Sequence, residues 1–273
     1  MNYATKLCIV SMMSVFSVSS IGLVQAADTP IVSTGGAAYN IGIPGDSNFT
    51  NSDNVSLGGQ AGTSNGNPYQ NSNDPNAKGN NIAIGRISLN GSSGGANVAL
   101  GSKTFLNGKG DYNFLGNFAA GFNSTISNTI AIGSFAGSGA TGNKNVWLGA
   151  GQAGGSTGNN TVLIGSNSTV DGNFNYGIGH NAELKGESNA VVGAYNHVTA
   201  NNTYVLGDHV DTTLNNAVVL GSQSTAESSD VVSTPSYTYA GGTVNFAGTA
   251  PVSTVSVGAT NQERTITHVA AGR

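Results

Sequence analysis

Three histidines, His180, His197 and His209, are the side chains best suited to chemistry in a chain with only 8% charged residues. Histidine is the most common metal ligand in proteins. In a repetitive fold, ligands from successive repeats have to occupy the same position of the repeat so that they stack around one ion. These three lie one, four and two residues after the glycine that ends each repeat. The spacing favours solvated surface histidines over a metal site.

Two glycine-rich segments match nucleotide-binding or catalytic motifs. Residues 149–154 (GAGQAG) fit the dinucleotide fingerprint, and residues 91–95 (GSSGG) fit the nucleophile elbow of hydrolases. The fingerprint needs a helix that begins at its third glycine, because the helix N-terminus holds the pyrophosphate, yet Gly-Ser-Thr-Gly follows it. The elbow lies among Asn, Gly and Ser, with no Asp and His in the order of a triad. We therefore expect neither catalysis nor a cofactor.

The elements that position these side chains are marked by a glycine at the end of each short apolar run. The clearest of these glycines are Gly58, Gly85, Gly101, Gly133, Gly149, Gly165, Gly179, Gly193, Gly207 and Gly221. Their spacing is 14 residues from Gly165 onward and, with Gly116 counted, 15 to 17 between Gly85 and Gly165. A period this short is typical of a solenoid in which each turn is one repeat.

Apolar residues alternate with other residues on both sides of each glycine, which predicts two short strands per repeat. Repeats of 14–17 residues are too short for two strands and a crossover helix, so the strands are expected to wind as a parallel β-roll. The predicted fold is all-β: a left-handed parallel β-roll solenoid of about eleven turns, roughly 50 Å long at the ordinary strand spacing. A small β-meander and a neck follow it.

The first strand of each repeat is apolar at every position, which is typical of a strand buried on both faces. The outer face is therefore predicted to meet an identical chain, since an exposed apolar stripe favours association and closed homo-oligomers cover it. The middle residues of these strands are the predicted contacts: Ala83, Ala99, Ala131, Trp147, Leu163, Val191, Val205 and Val219.

The second strand of each repeat has polar residues at alternate positions, which predicts a solvated face available to a ligand. The predicted contacts on this face are Asn181, Glu183, Tyr195, His197, His209 and Asp211. Tyr195 is the strongest single candidate, because aromatic side chains often dominate interface energetics. The alternative is that its ring only stacks along the roll.

The N-terminus has the features of a secretory signal at residues 1–26: Lys6, an apolar stretch from Leu7 to Val24, and the small-residue site Val24-Gln25-Ala26. The single cysteine, Cys8, lies within it, so the mature chain is expected to contain no disulfide. Residues 27–53 are predicted to be irregular. The net charge of −4 and the absence of a basic stripe exclude nucleic acid as an expected partner.

Residues 80–88 (NNIAIGRIS) and the repeats around them resemble the head of the YadA-like trimeric autotransporter adhesins of Gram-negative bacteria. By this resemblance residues 54–230 are the head and residues 252–273 a neck that contains Glu263, Arg264, Ile266 and Val269. Residues 231–251 resemble a β-meander insertion, with Tyr237 and Phe246 flanking Gly241-Gly242. His268 stands where the family usually has Asn.

The resemblance implies a homotrimer, exported to the cell surface or outer membrane, that binds host extracellular-matrix proteins of the collagen, fibronectin or laminin class or cell-surface receptors. Attachment to the membrane would require a C-terminal anchor that this sequence does not contain. The alternative is a structural trimeric fibre module, such as a phage-tail spacer, that binds no ligand; the secretory signal favours the adhesin. An ice-binding roll needs a flat threonine ladder, whereas the exposed position here includes Glu183, His197 and Asp211.

Overall fold

The computed structural model describes residues 31–32, 41–42, 55–58, 61–62 and 81–270. The predicted signal at residues 1–26 and most of the segment 27–53 lie outside the described residues. The described part of 27–53 is a short antiparallel pair, β1 (Ile31–Val32) with β2 (Ile41–Gly42). Most of the remaining described residues form the all-β parallel solenoid that the glycine spacing predicts.

One side of the solenoid is a parallel sheet of twelve strands, hereafter the long sheet. Its strands are β3 (Val55–Leu57), β4 (Ile82–Ile84), β5 (Val98–Leu100), β6 (Phe114–Gly116), β8 (Ile130–Ile132), β10 (Val146–Leu148), β11 (Val162–Ser166), β13 (Tyr176–His180), β15 (Ala190–Val192), β17 (Tyr204–Leu206), β19 (Val218–Leu220) and β22 (Val255–Ser256). The roll accordingly has about ten turns, close to the eleven that the sequence predicts, and β22 adds a strand from the neck.

The opposite side of the roll consists of shorter parallel strands. These are β7 (Thr125–Ser127) paired with β9 (Thr141–Asn143), and β12 (Thr169–Asp171), β14 (Glu183–Lys185), β16 (His197–Thr199) and β18 (Asp211–Thr212) in one four-stranded sheet. Single bridges from Ser93 to Lys109 and from Thr141 through Thr157 to Asp171 join these pieces. We call the outward surface of this side the polar face.

The core is one continuous cluster of side chains from the two sides of the roll and its corners. Trp147 is fully buried, and its indole N–H donates to the Thr161 hydroxyl at 3.0 Å. Glycines provide the room that large side chains need: a Cβ on Gly137 would lie 2.7 Å from the Trp147 ring, and one on Gly177 would lie 2.8 Å from Leu163. Large and small residues therefore interlock between neighbouring turns, which is how a narrow core reaches ordinary packing density.

The prediction that the middle residues of the long-sheet strands face outward is wrong. Each of them is buried inside the roll of a single chain: Ala83, Ala99, Ala131, Trp147, Leu163, Val191, Val205 and Val219. Their neighbours on either side point outward instead. The strand is apolar on both faces, so its alternation does not show which face is inside. The length of the corner selects the inside face. Leu163 before the corner and Ser168 after it are both buried and lie an odd number of positions apart, so the alternation of inward and outward side chains changes phase at the corner.

The segment after the roll contains the hairpin predicted around Gly241-Gly242. Strands β20 (Ser236–Tyr239) and β21 (Gly242–Asn245) pair antiparallel, preceded by a 3-10 turn at Ser228–Asp230. The chain then returns as β22, which continues the long sheet beside β19. Among the described residues no helix has the length and the apolar character needed to cross a membrane.

Candidate binding faces of the roll

The first corner of each turn, directly after a long-sheet strand, depends on glycine. Gly149 has φ +127°, a backbone conformation that residues with a Cβ rarely adopt, and a Cβ there would overlap the carbonyl oxygen of Gly165 in the next turn. In one turn the corner is Asn117 (φ +85°), because Gly116 pairs with Leu100 and Ile132 inside the strands. From Gly85 to Gly165, successive corners are therefore a uniform 16 residues apart. The predicted corner at Gly116, which gave spacings of 15 and 17, is wrong.

Buried amides support the roll from within, a role that the sequence analysis missed. Asn189 accepts the backbone N–H of Thr203 at 2.9 Å and donates to the carbonyl of Ala200 at 2.7 Å. Asn97 makes the same pair of bonds six repeats earlier, to the N–H of Asn113 and the carbonyl of Gly110. The sequence does contain a sign of this role: an Asn recurs four residues before the corner glycine, as in Asn-Val-Ala-Leu-Gly.

The outward surface of the long sheet is a continuous apolar face. Two columns run along it in register, one before and one after the buried middle residues. Its exposed large apolar members are Val55, Leu57, Ile84, Phe114, Ile130, Ile132, Ile164, Tyr176, Ile178, Val192, Tyr204, Leu206, Leu220 and Val255. The side chain of Ile178 is 51% exposed and that of Leu206 is 58% exposed. A stripe of this length far exceeds the scattered apolar residues that are normal on a monomer surface.

The six residues predicted to contact a ligand all lie outward on the polar face or at its glycine corner. Asn181, Tyr195, His209 and Asp211 are exposed, and Glu183 and His197 are half-buried. The Tyr195 ring stacks on the His209 ring at 4.9 Å and meets the His180 ring edge-on at 5.4 Å. Tyr195 therefore stacks along the roll, as the alternative predicted, and still remains 49% exposed.

Charged side chains are concentrated on the polar face of the later turns. His197 lies between two carboxylates, with Nδ1 3.1 Å from Asp211 and Nε2 3.5 Å from Glu183. A hydrogen bond from Lys185 to the Glu183 carboxylate, helped by the opposite charge, raises the pKa of Lys185 above its ordinary value. This part of the face presents side chains of both charges to solvent, Asp211 the most exposed among them.

The earlier turns present a different, mainly uncharged surface on the same face. Thr125, Thr141 and Thr157 lie in one column, and Ser127 and Asn143 pair in the neighbouring column. Side-chain amides continue that second column, since the amide N–H of Asn159 donates to the side-chain oxygen Oδ1 of Asn173 at 2.9 Å. The polar face thus divides into a hydroxyl and amide half and a charged half.

The neck docks on the last turn of the roll through Arg264. Its guanidinium donates to the carbonyl of Ser222, the hydroxyl of Ser224 and the carbonyl of Val257, all within 2.9 Å. The backbone N–H groups of Glu263 itself and of Asn261 donate to the Glu263 carboxylate and hold its pKa below the ordinary value. The other two predicted neck residues, Ile266 and Val269, are exposed.

Comparison with known proteins adds no relative: no protein-family model matches the chain, and no curated protein matches it. Within the described residues, no group of three or more His, Cys, Asp and Glu is arranged to hold a metal ion. The described residues offer two extended surfaces. One surface is apolar, and the other is polar and varied along the roll.

Proposed function

We propose that the chain is the head of a trimeric surface adhesin, exported from the cell, that associates through the apolar face of its long sheet. The observation that supports assembly is the two columns of exposed large apolar residues, because such a surface is stable in water only when covered. Cyclic contacts between identical chains cover it without leaving a free edge. The number three comes from the resemblance to YadA-like heads.

The polar face supports the second half of the proposal, which is attachment to matrix proteins of the collagen, fibronectin or laminin class or to cell-surface receptors. It stays outward when the apolar face is covered, and three copies would present it three times. Multivalent presentation raises apparent affinity by orders of magnitude without any new contact. The exposed stack of His180, Tyr195 and His209 supplies the aromatic groups that commonly anchor protein interfaces.

Binding of the purified chain to immobilised collagen, fibronectin and laminin and to host cells tests this function. We expect saturable binding that Tyr195→Asn weakens at least tenfold, since one aromatic anchor is worth about 2 kcal/mol or more. Asparagine suits the left-handed backbone of Tyr195 (φ +56°), so the fold is kept. Gln223→Asn, at the same corner position two turns later (φ +58°), is the matched control and should bind as the unmodified chain does.

A fibre module that only spaces other domains is the competing function. It predicts a stable assembly that binds none of the matrix proteins and no cell surface above background. That result, obtained with chain whose β-structure is intact by circular dichroism, would contradict the adhesin proposal.

A further inference from the structure

The second corner of each turn, between the polar face and the long sheet, is occupied by residues in the left-handed backbone conformation. The series includes Ala96, Tyr112, Asn128, Lys144, Asn160, Phe174, Ser188, Asn202 and Asn216, with φ from +51° to +61°. Asparagine tolerates this conformation, and it takes four of the nine positions, whereas a bulky aromatic residue there is strained. Tyr112 and Phe174 are therefore unexpected at this corner.

The backbone strain at Phe174 is not offset by burial of its side chain. In the connection between β5 and the polar side of the same turn, Phe105 has a similar φ of +53° and is fully buried, so packing offsets its backbone cost. Phe174 is 49% exposed, and its ring makes no aromatic contact with the described residues. Strained residues cluster at functional sites. Phe135 and Tyr195 share the positive φ and the 49% exposure of Phe174, so the groove that Phe174 lines is the observation that distinguishes it.

Phe174 lines a groove that spans three successive turns, hereafter the corner groove. The groove is an open depression of about 360 Å³, lined by Asn143, Lys144, Asn159, Asn160, Asn173 and Phe174. Its volume is in the range of small-ligand sites, which combine an aromatic or apolar wall with a few placed polar groups.

Three amides of the corner groove are held by hydrogen bonds to side chains of the neighbouring turns. Asn143 accepts from Asn128 at 3.0 Å, Asn159 donates to Asn173, and Asn173 donates to Glu187 at 3.1 Å. Each amide has two N–H groups and two lone pairs, so these bonds orient the groups and leave capacity for a ligand. Lys144 forms no ion pair with any described residue, which places a free cation at the edge of the groove.

A peptide strand does not fit the corner groove, because the backbone there has no open edge. The N–H groups of Lys144, Asn160 and Phe174 each donate to a carbonyl of the preceding turn at 2.9–3.0 Å. Strand addition needs unpaired backbone groups. A second copy of the chain is suited to the apolar face rather than to a groove of amides and one ammonium group.

We propose that the corner groove binds a saccharide chain that carries carboxylate groups. The Phe174 ring would lie under the C–H face of one sugar ring, the oriented amides would bond its hydroxyls, and Lys144 would pair with a carboxylate. This inference deepens the proposed adhesin function, because it names a class of ligand and a site away from Tyr195.

Titration of the full chain with short hyaluronan oligosaccharides, which alternate uronate and N-acetylhexosamine units, tests the proposal. Phe174→Asn removes the ring and installs the residue most common at this corner, so we expect at least a tenfold loss of affinity with an unchanged or higher melting temperature. Phe174→Tyr keeps the ring and should bind within threefold of the unmodified chain. Lys144→Gln should abolish the preference for hyaluronan over neutral chito-oligosaccharides.

Three results would overturn the proposal. They are no binding of hyaluronan oligosaccharides by the unmodified chain, equal binding by Phe174→Asn, and a change of assembly state in Phe174→Asn, which would assign the ring to a contact between copies. Adhesion to matrix proteins is scored separately. Loss of saccharide binding with adhesion intact refutes only the corner groove, and saccharide binding without adhesion refutes only the proposed function.

Discussion

At the scale of single residues, the buried asparagines stabilise the roll together with its narrow apolar core. Each one joins two neighbouring turns at a point where the backbone bends and its groups would otherwise lack partners. Buried backbone groups without partners are costly. The amide of Asn189 therefore contributes directly to the stability of its turn.

Asn189→Ala should destabilise the roll strongly. The change leaves the Thr203 N–H and the Ala200 carbonyl without their side-chain partner, at about 1–3 kcal/mol for each group. Thermal denaturation followed by circular dichroism should show a midpoint lowered by roughly 5–15 °C. Asn189→Thr is the control, because Thr203 fills this position in the next turn and donates to the Leu214 carbonyl at 2.8 Å. The midpoint of Asn189→Thr should fall by less than that of Asn189→Ala. An unchanged midpoint for Asn189→Ala would contradict the role of the amide.

At the scale of elements, the strands were predictable and the direction in which one of them faces was not. On the polar face, apolar Leu184 alternates with Glu183 and Lys185, and the structure buries Leu184 as the pattern indicates. In the long sheet, Val191 lies between Ala190 and Val192, so all three residues favour burial and only the geometry of the corner selects Val191. The predicted contact residues were wrong for this reason.

The neck illustrates how one side chain can hold two elements together. Arg264 reaches the last turn across some forty residues of sequence, and β22 aligns with β19 beside it. The sequence placed Arg264 in the neck by resemblance alone. Its partners depend on the path of the chain through the hairpin, which local patterns do not encode.

Arg264→Gln should loosen the neck from the roll without unfolding the turns before it. Hydrogen bonds that involve a charged group contribute about 1.5–3 kcal/mol, less when exposed. We expect hydrogen exchange at Val218 and Thr225, whose N–H groups donate to the neck carbonyls of Thr254 and Gly258, to accelerate about tenfold or more. Exchange in Tyr176–His180 is the internal control and should not change. If Val218 and Thr225 exchange at the same rates in Arg264→Gln as in the unmodified chain, Arg264 does not hold the neck.

At the scale of the whole molecule, the roll presents one apolar and one polar surface on opposite sides of a thin core. The single chain buries only one column of long-sheet side chains and leaves the other two in contact with solvent. A sheet that is apolar on both faces is ordinarily covered on both. This asymmetry is the physical basis of the proposed assembly.

Ile178→Asp should separate the assembly and leave the roll folded, since Ile178 is outward on the apolar face. Sedimentation should show monomer, with the β-sheet circular dichroism spectrum retained. Val205→Asp buries a charge in the core and should unfold the roll instead. Thr199→Asp, on the polar face, should leave the assembly intact. An intact assembly of the Ile178→Asp chain would rule out the apolar face as its interface.

The sequence by itself determined the period, the two strands of each turn, the polar face and the hairpin, because glycine, alternation and turn residues act over a few neighbouring positions. The tertiary structure decided which face of the long sheet is inside, that Asn117 is a corner, where Arg264 docks and that Phe174 and Lys144 line one groove. The corner sets the inside face, and the other three features depend on contacts between residues 14 or more positions apart. Such contacts arise only when successive turns stack, and no local pattern specifies them.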